Sequence, residues 1–228
     1  MERICTVTID VVIPAHNEEN YLAKTLEALS TVNQISNVIV VDDGSMDQTA
    51  NIAVSHSAIL VSLSRNQGKS AALLAGVRAA RSEFILMLDA DLGESASEIT
   101  KLIQAYPVGQ DACVIALFPV IPGRGGGIGL AVCIARIGAR LLGGWQMKAP
   151  LSGQRLLRRE TLDSILPLTY GFGLETAMNI RLGRAKTQLV EVETEMDHRV
   201  TQNDLKGRFH RAKQLLHLVM AIARECFH

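Results

Sequence analysis

The stretch FILMLDADLGES, residues 84–95, passes from an unbroken apolar run into two carboxylates, Asp89 and Asp91, with only Ala90 between them. A short aliphatic run without polar alternation fits a strand buried on both faces of a parallel sheet. Such sheets bind ligands beyond the carboxyl ends of their strands. Two carboxylates about 5 Å apart repel by roughly 3 kcal/mol at an effective dielectric near 20. Protonating one of them relieves the repulsion, and so does a bound cation. Hard oxygen donors in such a pair suit Mg2+ or Mn2+, which share their coordination with phosphate oxygens. So short a triplet also occurs as an ordinary turn, and its meaning depends on the neighbouring strand ends.

Four further runs have the same character: IDVVIP (9–14), NVIVVD (37–42), AILVSL (58–63) and ACVIAL (112–117). Helical patterns lie between them. Residues 18–29 place Tyr21, Leu22, Leu26 and Leu29 at helical spacing, with Asn17 as N-cap. Residues 69–80 carry Leu73, Leu74 and Val77, and residues 95–105 open on a capping box, Ser95 with Glu98. Alternation of this kind predicts an α/β fold, a mostly parallel central sheet flanked by helices. The strand ends PAHNEE, DDGS and DAD then gather along one edge.

Beyond the Gly-rich stretch 122–129 the pattern is less regular. SGQRLLRRE (152–160) reads as a short strand leading into a helix, LETAMNIRLGR (174–184) as a helix and TQLVEVETE (187–195) as a strand. A helix is also expected over 130–142. The last segment sets Leu205, Phe209, Ala212, Leu216, Val219 and Ala223 on one helical face, with Lys206, Arg208, Arg211, Lys213 and Arg224 largely off it. The expectation is that this stripe packs on the sheet and the basic residues are solvated. The alternative is a basic amphipathic helix lying on a membrane surface.

The 228 residues suffice for about one domain. One domain over 1–228 is expected, with a nucleotide-sugar-binding half (1–118) and an acceptor-binding half (119–228). With 48% hydrophobic and 20% charged residues the chain reads as globular, and its net charge of +0 gives no field that would draw nucleic acid. No apolar run reaches the roughly 18 residues of a membrane span, and the first residues lack a signal-peptide layout. The four cysteines form no CxxC pair, so reduced thiols and a cytoplasmic location are expected. NQGKS ends like a phosphate-binding P-loop, but position 63, where that pattern needs Gly, is Leu. GRGGGIG has no G-x-G-x-x-G in register, so ATPase and dehydrogenase readings are disfavoured.

Together, VVIPAHNEEN, VIVVDDGSMDQTANIA, RNQGKSAALLAGVRAA and FILMLDADL resemble a family 2 glycosyltransferase of the GT-A fold, in order and spacing. PLSGQRLLRRE resembles the SGF segment of polyprenyl-phosphate (dolichol-phosphate) sugar synthases. GFGLE and the late His198 are similar to features of glucosyl-3-phosphoglycerate synthases. The resemblance implies a metal-dependent transferase that moves a sugar from a UDP- or GDP-linked donor to an acceptor, a phosphate-bearing or lipid-phosphate molecule being one candidate. It implies that Pro14, Ala15, Asn17, Glu18 and Ala90 line the donor pocket, that Asp43 approaches base or ribose, and that Lys69 faces the nucleotide. Asp89 and Asp91 become the DxD pair holding Mg2+ or Mn2+, with Asp91 the principal ligand and His198 completing the site. Ser152, Gly153 and Gln154 fall near the donor sugar or acceptor, and Arg199 and Lys206 near phosphates. Glu175 either positions a sugar hydroxyl or pairs with Arg181 or Arg184.

The chain departs from the pattern in two places. Gly93 stands where the polyprenyl-phosphate enzymes often carry a metal-binding Gln, and SGQ replaces SGF. No clear general-base motif appears, and a phosphate acceptor, already ionised near neutral pH, needs none. The expected partners are the nucleotide-sugar donor and an acceptor that the sequence does not identify; a peripheral membrane contact and a homodimer are further candidates. The alternative function is a non-catalytic nucleotide-sugar-binding or regulatory protein on the same scaffold.

Overall fold

A computed structural model describes residues 8–119, 129–166, 171, 173–197 and 205–227, with side chains undescribed over 205–214. Seven strands form one sheet: β1 (Ile9–Ala15), β2 (Ile35–Asp42), β3 (Ile59–Ser62), β4 (Phe84–Met87), β5 (Ala112–Leu117), β6 (Arg155–Arg158) and β7 (Gln188–Glu193). Their order across the sheet is β3-β2-β1-β4-β6-β5-β7. All neighbours are parallel except β6, which runs antiparallel to both β4 and β5. The expected mostly parallel α/β sheet is therefore present, and the one reversed strand is SGQRLLRRE.

The apolar runs work as the sequence predicts because each strand serves two cores at once. Val11, Ile13, Leu86 and Leu88 pack on one face, and Val12, Val41, Ile85 and Met87 on the other. The first face is covered by α1 (Leu22–Ser30), by a short 3-10 helix over Gly93–Glu98 and by α4 (Ile99–Ala105). Helix α2 (Thr49–Ser55), which the sequence reading did not foresee, also lies on this side through Ala53. The second face is covered by α3 (Lys69–Ala79), α5 (Gly129–Gly143), α6 (Arg159–Ser164) and α7 (Leu174–Arg184). Helix α3 lies so close that a Cβ on Gly76 would sit 2.3 Å from Val12 Cγ1. Helix α8 (Leu205–Cys226) packs outside this layer, on α5 and α7.

Three local expectations are corrected. Asn17 does not cap α1, which starts at Leu22 without a side-chain cap. Asn17 instead takes a left-handed backbone, φ 56°, and its side-chain oxygen accepts the Met46 N–H. Ser95 and Glu98 form no capping box, because the chain first makes the 3-10 turn. Ser95 Oγ donates to the Leu92 carbonyl, while Glu98 accepts the Glu195 N–H and pairs with Lys101. The described part of the α8 stripe faces away from the core; the side chains of Leu205, Phe209 and Ala212 lie outside the described residues. Leu216 and Val219 are 59% and 48% exposed and Ala223 is exposed, whereas Leu218, Ala221 and Glu225 are buried. Among the described residues, no helix is long and apolar enough to cross a membrane.

Candidate active site

The carboxyl ends of β1, β2 and β4 and the first turn of α3 enclose a cleft of about 300 Å³. Pro14, Ala15, Glu18, Asp43, Lys69, Asp89, Ala90 and Asp91, all singled out by the sequence, line it together with His16, Asn66, Gly68 and Ala72. Its size is within the range of small-molecule sites. His16 sits inside PAHNEE, so its place at a strand end was the available signal. Asn66 opens the NQGKS stretch, which the sequence reading quoted without assigning that residue a role.

One wall is built around Asp43. Its two carboxylate oxygens accept the N–H groups of Gln67 (2.7 Å) and Gly68 (2.8 Å), and its own N–H donates to the Ala15 carbonyl. Asp43 thus fastens the turn before α3 to the ends of β1 and β2. The turn fits only because position 44 is glycine: at φ 69° a Cβ there would lie 2.6 Å from the Arg65 backbone. Asn17 is directed toward the 45–46 loop, where its N–H donates to Ser45 Oγ.

At the other wall the chain leaves β4 through Asp89. Lys69 Nζ lies 2.6 Å from Asp89 Oδ1 and 3.6 Å from Glu175 Oε1. Burial disfavours the ammonium charge, but Asp89 and Glu175 outweigh it, with a smaller contribution from Asp91. They hold the lysine pKa above its ordinary value, so it stays cationic. Of the two pairings expected for Glu175, neither occurs: Glu175 turns to Lys69, while Arg181 and Arg184 pair with Glu225.

The second oxygen of Asp89 is also engaged. Gln154 Nε2 donates to Oδ2 at 2.7 Å, and Ser152 Oγ donates to Gln154 Oε1 at 3.3 Å. Gly153 lies directly under this group, since a Cβ there would come within 2.9 Å of Lys69 Nζ. The polar residue that stands where the resemblance led one to expect phenylalanine therefore holds Asp89. The whole 150–154 segment rests on Arg155, which sequence reading missed. Fully buried, Arg155 donates to the Ser152 carbonyl (2.8 Å) and to Asn179 Oδ1 on α7 (2.6 Å). Burial pulls its pKa down. An arginine opening the apolar run RLL was the one hint in the sequence.

Past Asp91, Thr25 on α1 secures the loop, donating to the Ala90 carbonyl at 2.8 Å and accepting the Gly93 N–H at 2.9 Å. Gly93 has φ 55°, so the position where a glutamine was the pattern serves here as a left-handed turn. The Asp197 N–H donates to Ser95 Oγ at 3.0 Å, which ties the chain leaving β7 to this loop. His198 and Arg199 lie outside the described residues, as does the side chain of Lys206. Among the described residues, no group of three or more His, Cys, Asp or Glu side chains is arranged to hold a metal. Asp89 and Asp91 nevertheless supply the hard oxygen donors that Mg2+ or Mn2+ takes in ones and twos beside substrate phosphates.

The family model for "Glycosyl transferase family 2" matches residues 10–166. Among curated proteins, the chain is similar to the undecaprenyl-phosphate 4-deoxy-4-formamido-L-arabinose transferase of Photorhabdus laumondii. The two are 35% identical over 113 residues, which is 45% of this chain and 35% of that protein. The enzyme of the same name from Pseudomonas paraeruginosa is 34% identical over 45% of this chain and 33% of its own length. The chain thus spans about a third of the length of the curated relatives it matches. Among solved structures, it resembles glucosyl-3-phosphoglycerate synthase from Mycobacterium tuberculosis. The complex with Mn2+, UDP-glucose and phosphoglyceric acid superposes with a TM-score of 0.76 at 25% identity, covering 96% of this chain and 80% of that one. The complex with Mn2+ and UDP-glucose gives 0.74 at 26% identity, over 95% and 79%.

Proposed function

Because the chain belongs to glycosyl transferase family 2, we propose that it transfers a sugar from a nucleoside-diphosphate sugar, UDP- or GDP-linked, to an acceptor that carries a phosphate. The observation that carries this reading is the meeting of Asp89, Asp91 and Lys69 in one cleft at the strand ends. A nucleoside fits the wall formed by Pro14, Ala15, Glu18 and Asp43, and its diphosphate the end that holds Lys69 and the two aspartates. Asp91 is the proposed principal ligand of Mg2+ or Mn2+, with Asp89, held by Lys69 and Gln154, beside it and His198 as a further candidate ligand. When bound, such an ion neutralises the diphosphate as it leaves the sugar.

The chain's own groups do the remaining work. Lys69 supplies a fixed positive charge beside the leaving phosphates, oriented by Asp89 on one side and Glu175 on the other. Gln154 and Gly153 keep Asp89 in one rotamer at the sugar end of the cleft, and Ser152 braces Gln154. An acceptor phosphate, ionised near neutral pH, attacks the anomeric carbon through its own oxygen as the bond from that carbon to the diphosphate breaks and the nucleoside diphosphate leaves, so this acceptor requires no protein base. Arg199 and Lys206 are candidates to hold it. The curated relatives are named for undecaprenyl-phosphate and the structural neighbour was solved with phosphoglyceric acid; both names support a phosphate-bearing acceptor.

The test is Asp91→Ala, assayed for donor turnover with and without Mn2+ across UDP- and GDP-sugars. Metal-dependent turnover is expected to vanish while the unfolding midpoint stays at the wild-type value. Turnover at the wild-type rate in this variant overturns the proposal. Calorimetry with UDP and GDP in Mn2+ separates catalysis from mere binding: a wild-type protein that binds a donor yet turns over none with any phosphate acceptor is a binding protein.

A further inference from the structure

Large apolar side chains are exposed at eleven described positions, and seven of these cluster on two helices. They are Leu130, Ile137 and Leu141 on α5, and Leu216, Val219, Met220 and Phe227 on or just after α8. Steps of three, four, seven and eleven residues put each set on one side of its helix. The opposite sides, Ala135 and Ala139 on α5 and Leu218 and Ala221 on α8, are buried. The helices touch where Gly138 meets Ile222; a Cβ on Gly138 would be 2.9 Å from Ile222 Cδ1. The two outward faces therefore lie side by side and form one apolar surface, and such exposed surfaces mark interaction sites.

The charges on these helices decide what covers the surface. In sequence α5 carries Arg136 and Arg140, and α8 carries Lys206, Arg208, Arg211, Lys213 and Arg224; among the described side chains Arg140 and Arg224 are exposed, and Arg136 donates to the Met147 and Lys148 carbonyls. The one acidic residue of both helices, Glu225, is 1% exposed and paired with Arg181 and Arg184. In a chain with 23 basic and 23 acidic residues, the two helices are thus basic in composition, and their one carboxylate is buried. A second copy docked face to face would bring like charges together. An anionic lipid surface satisfies both properties, taking apolar side chains at the headgroup boundary and basic ones at its phosphates.

We propose that the outward faces of α5 and α8 together form a docking surface for a membrane leaflet that contains anionic phospholipid. The inference rests on this surface alone and not on the reading of the cleft. Helix α8 also passes over the start of α7, where a Cβ on Gly173 would meet Ala221 Cβ at 2.4 Å. Docking would therefore set the lipid surface one helix layer from Glu175.

Co-sedimentation with phosphatidylcholine vesicles, with and without phosphatidylglycerol, tests the proposal. The protein is expected to pellet with the anionic vesicles and to be released as salt rises. The triple substitution Leu216→Gln, Val219→Gln and Met220→Gln is expected to weaken partitioning by at least about tenfold, as is Leu141→Gln with Ile137→Gln on the other helix. Soluble donor turnover and circular dichroism are expected to stay at wild-type values in both variants. Failure of the wild type to pellet, equal binding to neutral vesicles, or undiminished binding by both variants overturns the proposal. So does a dimer in light scattering that the same substitutions dissolve.

Discussion

At the scale of single residues, the departures from the family pattern are the informative positions. Gln154 places an amide where the resemblance leads one to expect an aromatic ring, and that amide holds Asp89 Oδ2 at 2.7 Å. Hydrogen bonds to charged groups contribute about 1.5–3 kcal/mol. Gln154→Ala is therefore expected to lower donor kcat/KM by about tenfold or more. Gln154→Glu, which sets a second carboxylate against Asp89, is expected to lower it further. Steady-state kinetics on both variants decides, and an unchanged kcat/KM in Gln154→Ala would show that Asp89 needs no second partner. Gly93 is the other departure. A residue with a side chain at φ 55° occupies the left-handed region at a cost of about 1–2 kcal/mol. Space is not the obstacle, because a Cβ would approach only Lys24 Cβ, at 4.0 Å. Gly93→Ala should lower the unfolding free energy by that amount, read as a lower urea midpoint at an unchanged slope, and a neutral result would mean that the loop relaxes.

At the scale of elements, Asp10 shows how one buried carboxylate ties a sheet together at the end opposite the cleft. It accepts the N–H groups of Arg81 and Ser82, the Ser82 hydroxyl and the Asn37 side chain, joining β1 to β2 and to the turn that leads into β4. Burial raises its pKa, but those four donors outweigh burial and hold it below the ordinary carboxylate value. A depressed folded-state pKa stabilises the fold above the unfolded value, near 3.9, and that stabilisation is lost as pH falls through the folded pKa. Asp10→Asn should accordingly flatten the fall of stability below about pH 4, as measured by denaturant melts from pH 2 to 6. Much of the fold was legible at this scale, because strands buried on both faces must be apolar throughout and helices buried on one face must be periodic. The capping box at Ser95 and the cap at Asn17 were misread because tertiary partners, Glu195 with Asp197 in one case and Met46 in the other, claim those side chains or their neighbours. The α8 stripe was misread for a different reason. Periodicity identifies an apolar face but not what the face meets, and here the core takes Leu218 and Ala221 instead. Most residues that line the cleft were legible, since strand ends collect polar residues in sequence as they do in space. Arg155 was not, because a fully buried arginine looks locally like any charged residue beside a strand.

At the scale of the whole molecule, the cleft gathers the ends of elements that already pack on one another in the sheet and its covering helix. Its walls come from β1, β2, β4 and α3, and Lys69 extends the contact to α7 through Glu175. A ligand seated there is bound by the native arrangement and by nothing in the unfolded chain, so it stabilises by RT ln(1 + [L]/Kd), about 2.7 kcal/mol at a hundred times Kd. For a chain of this size each kcal/mol raises the melting temperature by about 2–4 °C. A nucleoside diphosphate with Mn2+ should therefore raise Tm by about 5–10 °C at such saturation. With a chelator present the shift should shrink to what the nucleoside wall and Lys69 supply alone. Running UDP against GDP also identifies the base, because only the cognate one will produce the full shift at equal concentration. If both diphosphates leave Tm unmoved at millimolar concentration, with and without Mn2+, the strand-end carboxylates do not hold a metal diphosphate and the cleft serves another ligand. If the shift appears but is the same in Asp91→Ala, the diphosphate is held by Lys69 and the turn after Asp43, and the metal is not part of donor binding.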